Sequence, residues 1–144
     1  MRKHTPFALA LMLALPLAAL AQGGSITESM GRYHSTEEKA SQAYNRGARA
    51  LRKAETEKDS AKQAKLYQKA KEELSKAAGY LASYDTYLAL GQVYLALGQK
   101  ESALDACSKA QSLKGGNEAA KSCAEQAQRE IQEAAASKPK DNSL

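Results

Sequence analysis

Small and apolar residues recur at intervals of three and four along most of the chain, a period typical of amphipathic helices. Five such segments follow one another between about residues 36 and 136. No proline occurs between Pro16 and Pro139, and alternating runs of β-branched residues are missing. The long proline-free stretch is rich in Ala, Lys, Glu, Gln and Leu, which favour helices. The pattern therefore predicts an all-α fold.

Polar caps and glycines predict where these helices begin and end. The first follows a capping box, in which Ser35 and Glu38 can satisfy each other's backbone donors. The other four follow similar signals. Their predicted bounds are from Asp59 to about Gly79, from Ser83 or Asp85 to Gly98, from about Lys100 to Leu113, and from a cap at Asn117 onwards.

The two ends of the chain lack the helical period. Residues 1–21 combine a basic head, the apolar run 7–21 and the small-residue motif Ala19-Leu20-Ala21, which together predict a secretory signal peptide cut after Ala21. The alternative is an uncleaved anchor, although the run is shorter than the roughly 20 residues of a membrane span. We expect residues 22–35 to form a flexible leader and 137–144 a disordered tail.

Export changes the expected composition. Loss of Arg2 and Lys3 leaves 19 Lys and Arg against 16 Asp and Glu, a net charge of +3 instead of +5. This charge is ordinary for a helical surface and gives little support to nucleic-acid binding. The only phenylalanine, Phe7, is lost with the signal and tryptophan is absent, so the core must be built from Ala, Leu and Tyr.

Motifs of catalysis and metal binding are missing from the sequence. It has no P-loop, no G-x-S-x-G, no H-E-x-x-H, and no paired carboxylates beside a histidine. His34 is the only histidine after the predicted cut, which is too few ligands for a metal site. We therefore expect no enzyme activity and no cofactor.

The segment from Tyr87 to Gly115 carries the spacing Tyr-x2-Leu-Gly-x2-Tyr-x8-Ala-x3-Cys-x2-Ala-x4-Gly. It resembles the tetratricopeptide repeat, W-x2-L-G-x2-Y-x8-A-x3-F-x2-A-x4-P. Cys107 stands where an aromatic residue is usual, and Gly115 where proline is usual. The alternative is a generic helical hairpin.

A degraded copy of the pattern precedes this segment, with Gly47 in the position of the repeat glycine. Between Ala50 and Ala70 there are 19 residues where the pattern has eight, so the first hairpin is expected to have longer arms. The resemblance implies a short right-handed array over residues 36–136, with two hairpins and a capping helix. Its packing positions are Gly47, Ala70, Leu74, Ala77, Tyr87, Leu90, Gly91, Tyr94, Ala103 and Ala110.

Repeats of this family bind partners in a groove lined by the first helix of each hairpin. The resemblance places eight residues there: Tyr44, Ala48, Leu51, Arg52, Asp85, Leu88, Gln92 and Leu95. Leu88 and Leu95 lie seven residues apart and suit an apolar peptide or helix. The alternative is that they are buried against the first hairpin or the leader.

Cys107 and Cys123 are the only cysteines, and both lie on apolar faces of consecutive predicted helices. An even cysteine count in an exported protein suggests a disulfide, and the alternative is two buried free thiols. The spacing is not that of a C-x-x-C redox pair.

Together these features predict a periplasmic or secreted interaction module. It would act as a scaffold or assembly factor for a cell-envelope complex and bind a protein or peptide segment, without nucleic acid and without a stable membrane span after cleavage. Two repeats and a cap are fewer than the roughly three units normally needed. The alternative function is therefore a structural protein whose apolar surfaces form a homo-oligomer.

Overall fold

The computed structural model describes residues 26–115 and 117–137. The predicted signal peptide, the first four residues of the predicted leader and the tail from residue 138 lie outside this range. All regular structure in the described part is helical, which confirms the all-α prediction. The helices are α1 (Ile26–Thr56), α2 (Ser60–Tyr80), α3 (Tyr84–Ala96), α4 (Lys100–Leu113) and α5 (Glu118–Ala136).

Short polar side chains cap the starts of α2, α3 and α5, as predicted. Each side chain lies just before its helix and accepts hydrogen bonds from backbone N–H groups of the first turn, which have no partner within the helix. The Asp59 carboxylate accepts two such bonds, at 2.9 and 3.1 Å. Ser83 and Asn117 each accept one, at 3.3 and 3.0 Å.

Gly98 ends α3 through a Schellman motif. Its φ of 69° lies in the left-handed region, which glycine adopts without the steric cost of a Cβ. The N–H of Gly98 donates to the Leu95 carbonyl at 2.9 Å, and the N–H of Gln99 donates to the Tyr94 carbonyl at 2.8 Å. These two bonds satisfy carbonyls of the last turn and let α4 begin at Lys100.

The start of α1 differs from the prediction. This helix begins at Ile26, so Ser35 and Glu38 lie inside it and do not cap its N-terminus. Nothing in the sequence between Ile26 and Ser35 interrupts a helix, because the segment has no proline and only one glycine. The motif S-x-x-E also occurs at Ser25 and Glu28, which shows that the same signal is present one position before the observed start.

Each helix packs against the next one along the chain. In the first hairpin the Gln63 side-chain amide donates to the Ala54 carbonyl at 3.1 Å, where the two helices meet. Between the last two helices, the Lys100 ammonium on α4 donates to the Glu130 carbonyl on α5 at 3.0 Å. In addition, α3 contacts both α1 and α5. The first hairpin has the longer arms, as expected, with helices of 31 and 21 residues against 13 and 14 in the second.

The core is built mainly from alanine. Twelve of the eighteen buried apolar residues in the described part of the chain are alanines, and the others are Leu51, Leu74, Leu90, Val93 and the two cysteines. Alanine buries little apolar area, so each contact stabilises the fold only modestly. Stability therefore depends on how closely the helix backbones approach.

Gly47 marks the closest approach of α1 and α2. A Cβ built at this position would lie 2.6 Å from Cγ of Leu74 and 3.1 Å from its backbone nitrogen. Leu74 is fully buried, and the close packing of protein interiors limits how far such a side chain can shift. The absence of a side chain at Gly47 is therefore what lets Leu74 and its backbone pack directly on α1.

We predict that Gly47→Ala lowers the free energy of unfolding by about 1–3 kcal/mol, as is usual for overpacked cores. The matched control is Gly79→Ala on α2, because a Cβ there meets nothing within 4 Å. That control should stabilise the protein by up to about 1 kcal/mol through helix propensity. Urea denaturation followed by circular dichroism measures both. Equal effects of the two substitutions would contradict the packing role of Gly47.

Candidate functional site

The residues predicted to pack the repeat lie mainly in the interior. Eight of the ten are buried, and Tyr87 and Tyr94 are half-buried and pack against the central apolar cluster. Gly91 is among the buried residues and lies directly over the two cysteines. These positions form the scaffold that holds the face described next.

On α3, the predicted groove residues form one partly open face. Asp85 and Gln92 are exposed, and Leu88 and Leu95 are half-buried. The two leucines lie three residues before and four residues after Gly91, so they share its side of the helix. That side faces the cysteines that join α4 to α5. The open face of α3 thus has a polar edge and a more apolar edge toward α5.

On α1, the predicted groove residues divide into two groups. Arg52 is exposed, and Tyr44 and Ala48 are half-buried. Leu51 is only 8% exposed and belongs to the central apolar cluster, so it contributes to packing and not to an open surface. The prediction missed that Leu51 would be covered, because the contact between α1 and α3 depends on how the two hairpins pack together.

Several buried residues of α3 were not predicted. They are Thr86, Ala89 and Val93, which form a second buried stripe beside the predicted packing positions. The Thr86 hydroxyl lies 2.7 Å from the Ser83 hydroxyl, which satisfies its hydrogen bonding. The sequence could have indicated their burial, because α3 is apolar around most of its circumference and such a helix is usually central in a fold.

A disulfide joins Cys107 on α4 to Cys123 on α5, as predicted. Gly91 of α3 packs directly on it. A Cβ built at Gly91 would clash with the Cys107 sulfur and would lie 2.8 Å from the Cys123 sulfur, whereas the backbone nitrogen of Cys107 is 3.6 Å away. Gly91 therefore makes room for the disulfide more than for a neighbouring backbone.

Charged groups form a small network on the first hairpin. The Glu73 carboxylate binds Arg46 of α1 through one oxygen and Lys76 of α2 through the other, the latter at 2.7 Å. The hydrogen bonds from Lys76 and then from Arg46 lower the pKa of Glu73, and the Glu73 carboxylate raises the pKa of Lys76. The network ties the two helices together close to Gly47.

Two lysines lie over tyrosine rings of α3. Lys109 is 5.7 Å from the centre of the Tyr87 ring and also pairs with Asp105 at 2.6 Å, and Lys114 is 5.3 Å from the centre of the Tyr84 ring. The hydrogen bond that the Lys109 ammonium donates to the Asp105 carboxylate raises the pKa of Lys109. These cation–π contacts hold α4 against α3 at the surface.

Comparison with known proteins identifies no family. No family model matches the chain, and no curated protein or solved structure is significantly similar to it. Within the described residues, no three His, Cys, Asp or Glu side chains are grouped to hold a metal ion. No helix in that same part of the chain is both long and apolar enough to cross a membrane.

We predict strong coupling between Gly91 and the disulfide. In the wild-type background, Gly91→Ala should lower the free energy of unfolding by at least about 1 kcal/mol through overpacking. In a Cys107→Ala/Cys123→Ala background the sulfur atoms are gone, and the same substitution should be neutral or stabilising. Chemical denaturation of the four proteins in this double-mutant cycle measures the coupling. Additive effects would contradict the direct contact.

The double cysteine variant also tests the disulfide itself. Removing a cross-link across a loop of this size should cost on the order of 3 kcal/mol, because the unfolded chain gains conformational freedom. A reducing agent should destabilise the wild type and leave the double variant unchanged. A wild type that is insensitive to full reduction would contradict a stabilising disulfide.

We predict that the Glu73 network contributes stability that depends on pH. Because the pKa of Glu73 is lowered in the folded state, its contribution is present above the ordinary glutamate pKa, about 4.3, and is lost as the pH falls through the lowered value. Glu73→Gln should remove this part of the acid-dependent loss. Thermal denaturation between neutral and acidic pH measures it, with the exposed Glu125→Gln as control. Identical pH profiles for both variants would contradict the prediction.

Proposed function

We propose that the protein is an exported, tetratricopeptide-like interaction module. It holds a peptide segment of a cell-envelope complex along α3 and serves as a scaffold or assembly factor, without catalysis. The observation that carries the proposal is the half-buried pair Leu88 and Leu95, next to the exposed Asp85 and Gln92. An apolar pair beside polar groups suits a peptide with apolar side chains and a hydrogen-bonding edge.

The arrangement of the helices supports this assignment. Because α3 contacts both α1 and α5, the first helix of each hairpin and the last helix lie next to one another. Two leucines seven residues apart are separated by about 10.5 Å along a helix, the spacing of two turns of a bound helix. A bound segment that lies along α3 could therefore contact both leucines at once.

Export is supported by two independent features. The N-terminal sequence has the basic head, apolar run and small-residue cut site of a signal peptide. The disulfide between Cys107 and Cys123 suits an oxidising compartment, where such bonds persist. The proposed location is the periplasm or the extracellular space.

A second candidate function is self-association. Tyr80, Leu81 and Leu113 are 46%, 47% and 48% exposed, and they are the large apolar residues with the greatest exposure among the described residues. Tyr80 and Leu81 lie at the junction of α2 and α3, and Leu113 ends α4. Exposed apolar residues of this size are candidates for an interface between two copies of the chain.

We predict that Leu88→Asp and Leu95→Asp abolish recovery of the partner while helicity is retained. The reason is that a charge placed against an apolar side chain of the bound peptide must be desolvated without a partner. The measurement is affinity recovery of the tagged mature protein from crosslinked envelope extract, read by mass spectrometry. Leu104→Asp on α4 is the matched control, since Leu104 is also half-buried and lies on a different helix.

The possible results separate the two candidate functions. A protein recovered with the wild type and with Leu104→Asp, but not with the α3 variants, would support the interaction module. Unchanged recovery with both α3 variants would contradict the assignment to α3. Sedimentation at micromolar concentration tests self-association, and a strict monomer would count against it.

A further inference from the structure

A cleft lies between α1 and α2 on the first hairpin, with a volume of about 320 Å³. Its lining consists of four cationic side chains around two aliphatic ones. They are Arg46, Arg49, Lys53 and Lys69, with Ala50 and Leu66. We call this the cationic cleft. Among the described residues no acidic side chain lines it, so its charge is not neutralised by that part of the chain.

Three of the four cations have no acidic partner among the described residues. Arg46 pairs with Glu73 at the edge of the cleft. The Arg49 guanidinium donates only to the Asn45 carbonyl of its own helix, at 3.2 Å. Within the described part of the chain, Lys53 and Lys69 make no ion pair, and both are exposed. These three charges are free to bind an anion from outside.

The excess positive charge extends over the whole first hairpin. Residues 26–80 contain 12 Lys and Arg against 8 Asp and Glu, a net charge of +4. Residues 81–137 contain 5 Lys and Arg against 7 Asp and Glu, a net charge of −2. The cleft therefore lies on the positive half of the molecule, and this larger field favours anionic ligands there.

The spacing of the cations fits an extended ligand with several charges. Arg46, Arg49 and Lys53 follow one another at intervals of three and four residues, so they form a row along one side of α1. Successive members are separated by about 4.5 and 6 Å along the helix axis. A row of this kind matches carboxylates repeated every three or four residues on another helix, whereas a single small anion needs donors that converge.

The two aliphatic lining residues, Ala50 and Leu66, indicate which kind of polyanion the cleft can bind. Leu66 is half-buried in the cleft, and Ala50 beside it is 4% exposed. A polyphosphate or nucleic-acid backbone has no aliphatic group to place there. The described lining residues include no aromatic side chain on which a base could stack. A peptide with both carboxylates and an apolar side chain matches both the cationic and the aliphatic residues of the lining.

We propose that the cationic cleft binds an acidic, amphipathic helical peptide segment of a partner protein. Carboxylates of the peptide pair with Arg49, Lys53 and Lys69, and an apolar side chain lies against Leu66. Glu73 already shows the type of contact, since its carboxylate binds one cation of the cleft and a second cation from α2. This site is separate from the face of α3 and does not depend on it.

The test uses a fluorescein-labelled peptide of glutamate, alanine and leucine, with glutamates at helical spacing and one leucine on the same face. Its binding to the mature protein is followed by fluorescence anisotropy at low salt. The variant Arg49→Gln/Lys53→Gln/Lys69→Gln should bind at least about tenfold more weakly, since it loses three charged contacts. The control variant Lys58→Gln/Lys121→Gln/Arg129→Gln removes the same charge from exposed positions away from this row. It should change the affinity less than about twofold.

Each outcome decides the proposal. The expected pattern is a loss of binding in the cleft variant alone, and no binding of a peptide in which glutamine replaces glutamate. Equal loss in the two variants would show that only net charge acts, and would overturn the proposal. Tighter binding of polyphosphate, or of vesicles containing phosphatidylglycerol, through the same three cations would assign the cleft to phosphate instead. Unchanged helicity of both variants by circular dichroism confirms that folding is intact.

This experiment is independent of the proposed role of α3. The cleft variant should still recover a partner that depends on Leu88 and Leu95, because those residues lie on another helix. Likewise, Leu88→Asp should bind the acidic peptide with wild-type affinity. Loss of peptide binding in Leu88→Asp, with helicity unchanged, would overturn the placement of the acidic segment in the cleft.

Discussion

Close packing of the helices at two glycines is the constraint on which this molecule depends. Alanine supplies most of the buried apolar residues, and its side chain gains too little from burial to hold helices that stand apart. At Gly47 the space of a missing side chain is filled by Leu74, and at Gly91 it is filled by the disulfide. In each hairpin a glycine thus leaves space for a neighbouring group, which is Leu74 at Gly47 and the disulfide at Gly91.

The helix α3 connects the two hairpins and the last helix through its packing contacts. It contacts each of the other four helices, and its buried residues lie on more than one side. The half-buried Leu88 and Leu95, with the exposed Asp85 and Gln92, therefore lie on a helix that packs against all the other described helices. A site on a rigid element loses less conformational entropy when it binds than a site on a loop.

Local signals in the sequence predicted most of the fold, and long-range contacts explain what they missed. The helix bounds at Asp59, Ser83, Gly98 and Asn117 follow from capping chemistry that acts within a few residues. The cover over Leu51 depends on how one hairpin packs on the next, which no local pattern encodes. The cationic cleft was missed for the same reason, because its cations come from two helices whose register only the folded structure fixes.

The unequal division of charge between the two halves gives the molecule a permanent electrostatic orientation. With a net charge of +4 on residues 26–80 and −2 on residues 81–137, an anionic surface or partner attracts the first hairpin and repels the remainder. The protein is therefore turned before it makes contact, and fewer of its encounters are unproductive. Such alignment acts over about one Debye length, near 8 Å at physiological ionic strength, so salt controls the rate of encounter more than the strength of the final contacts.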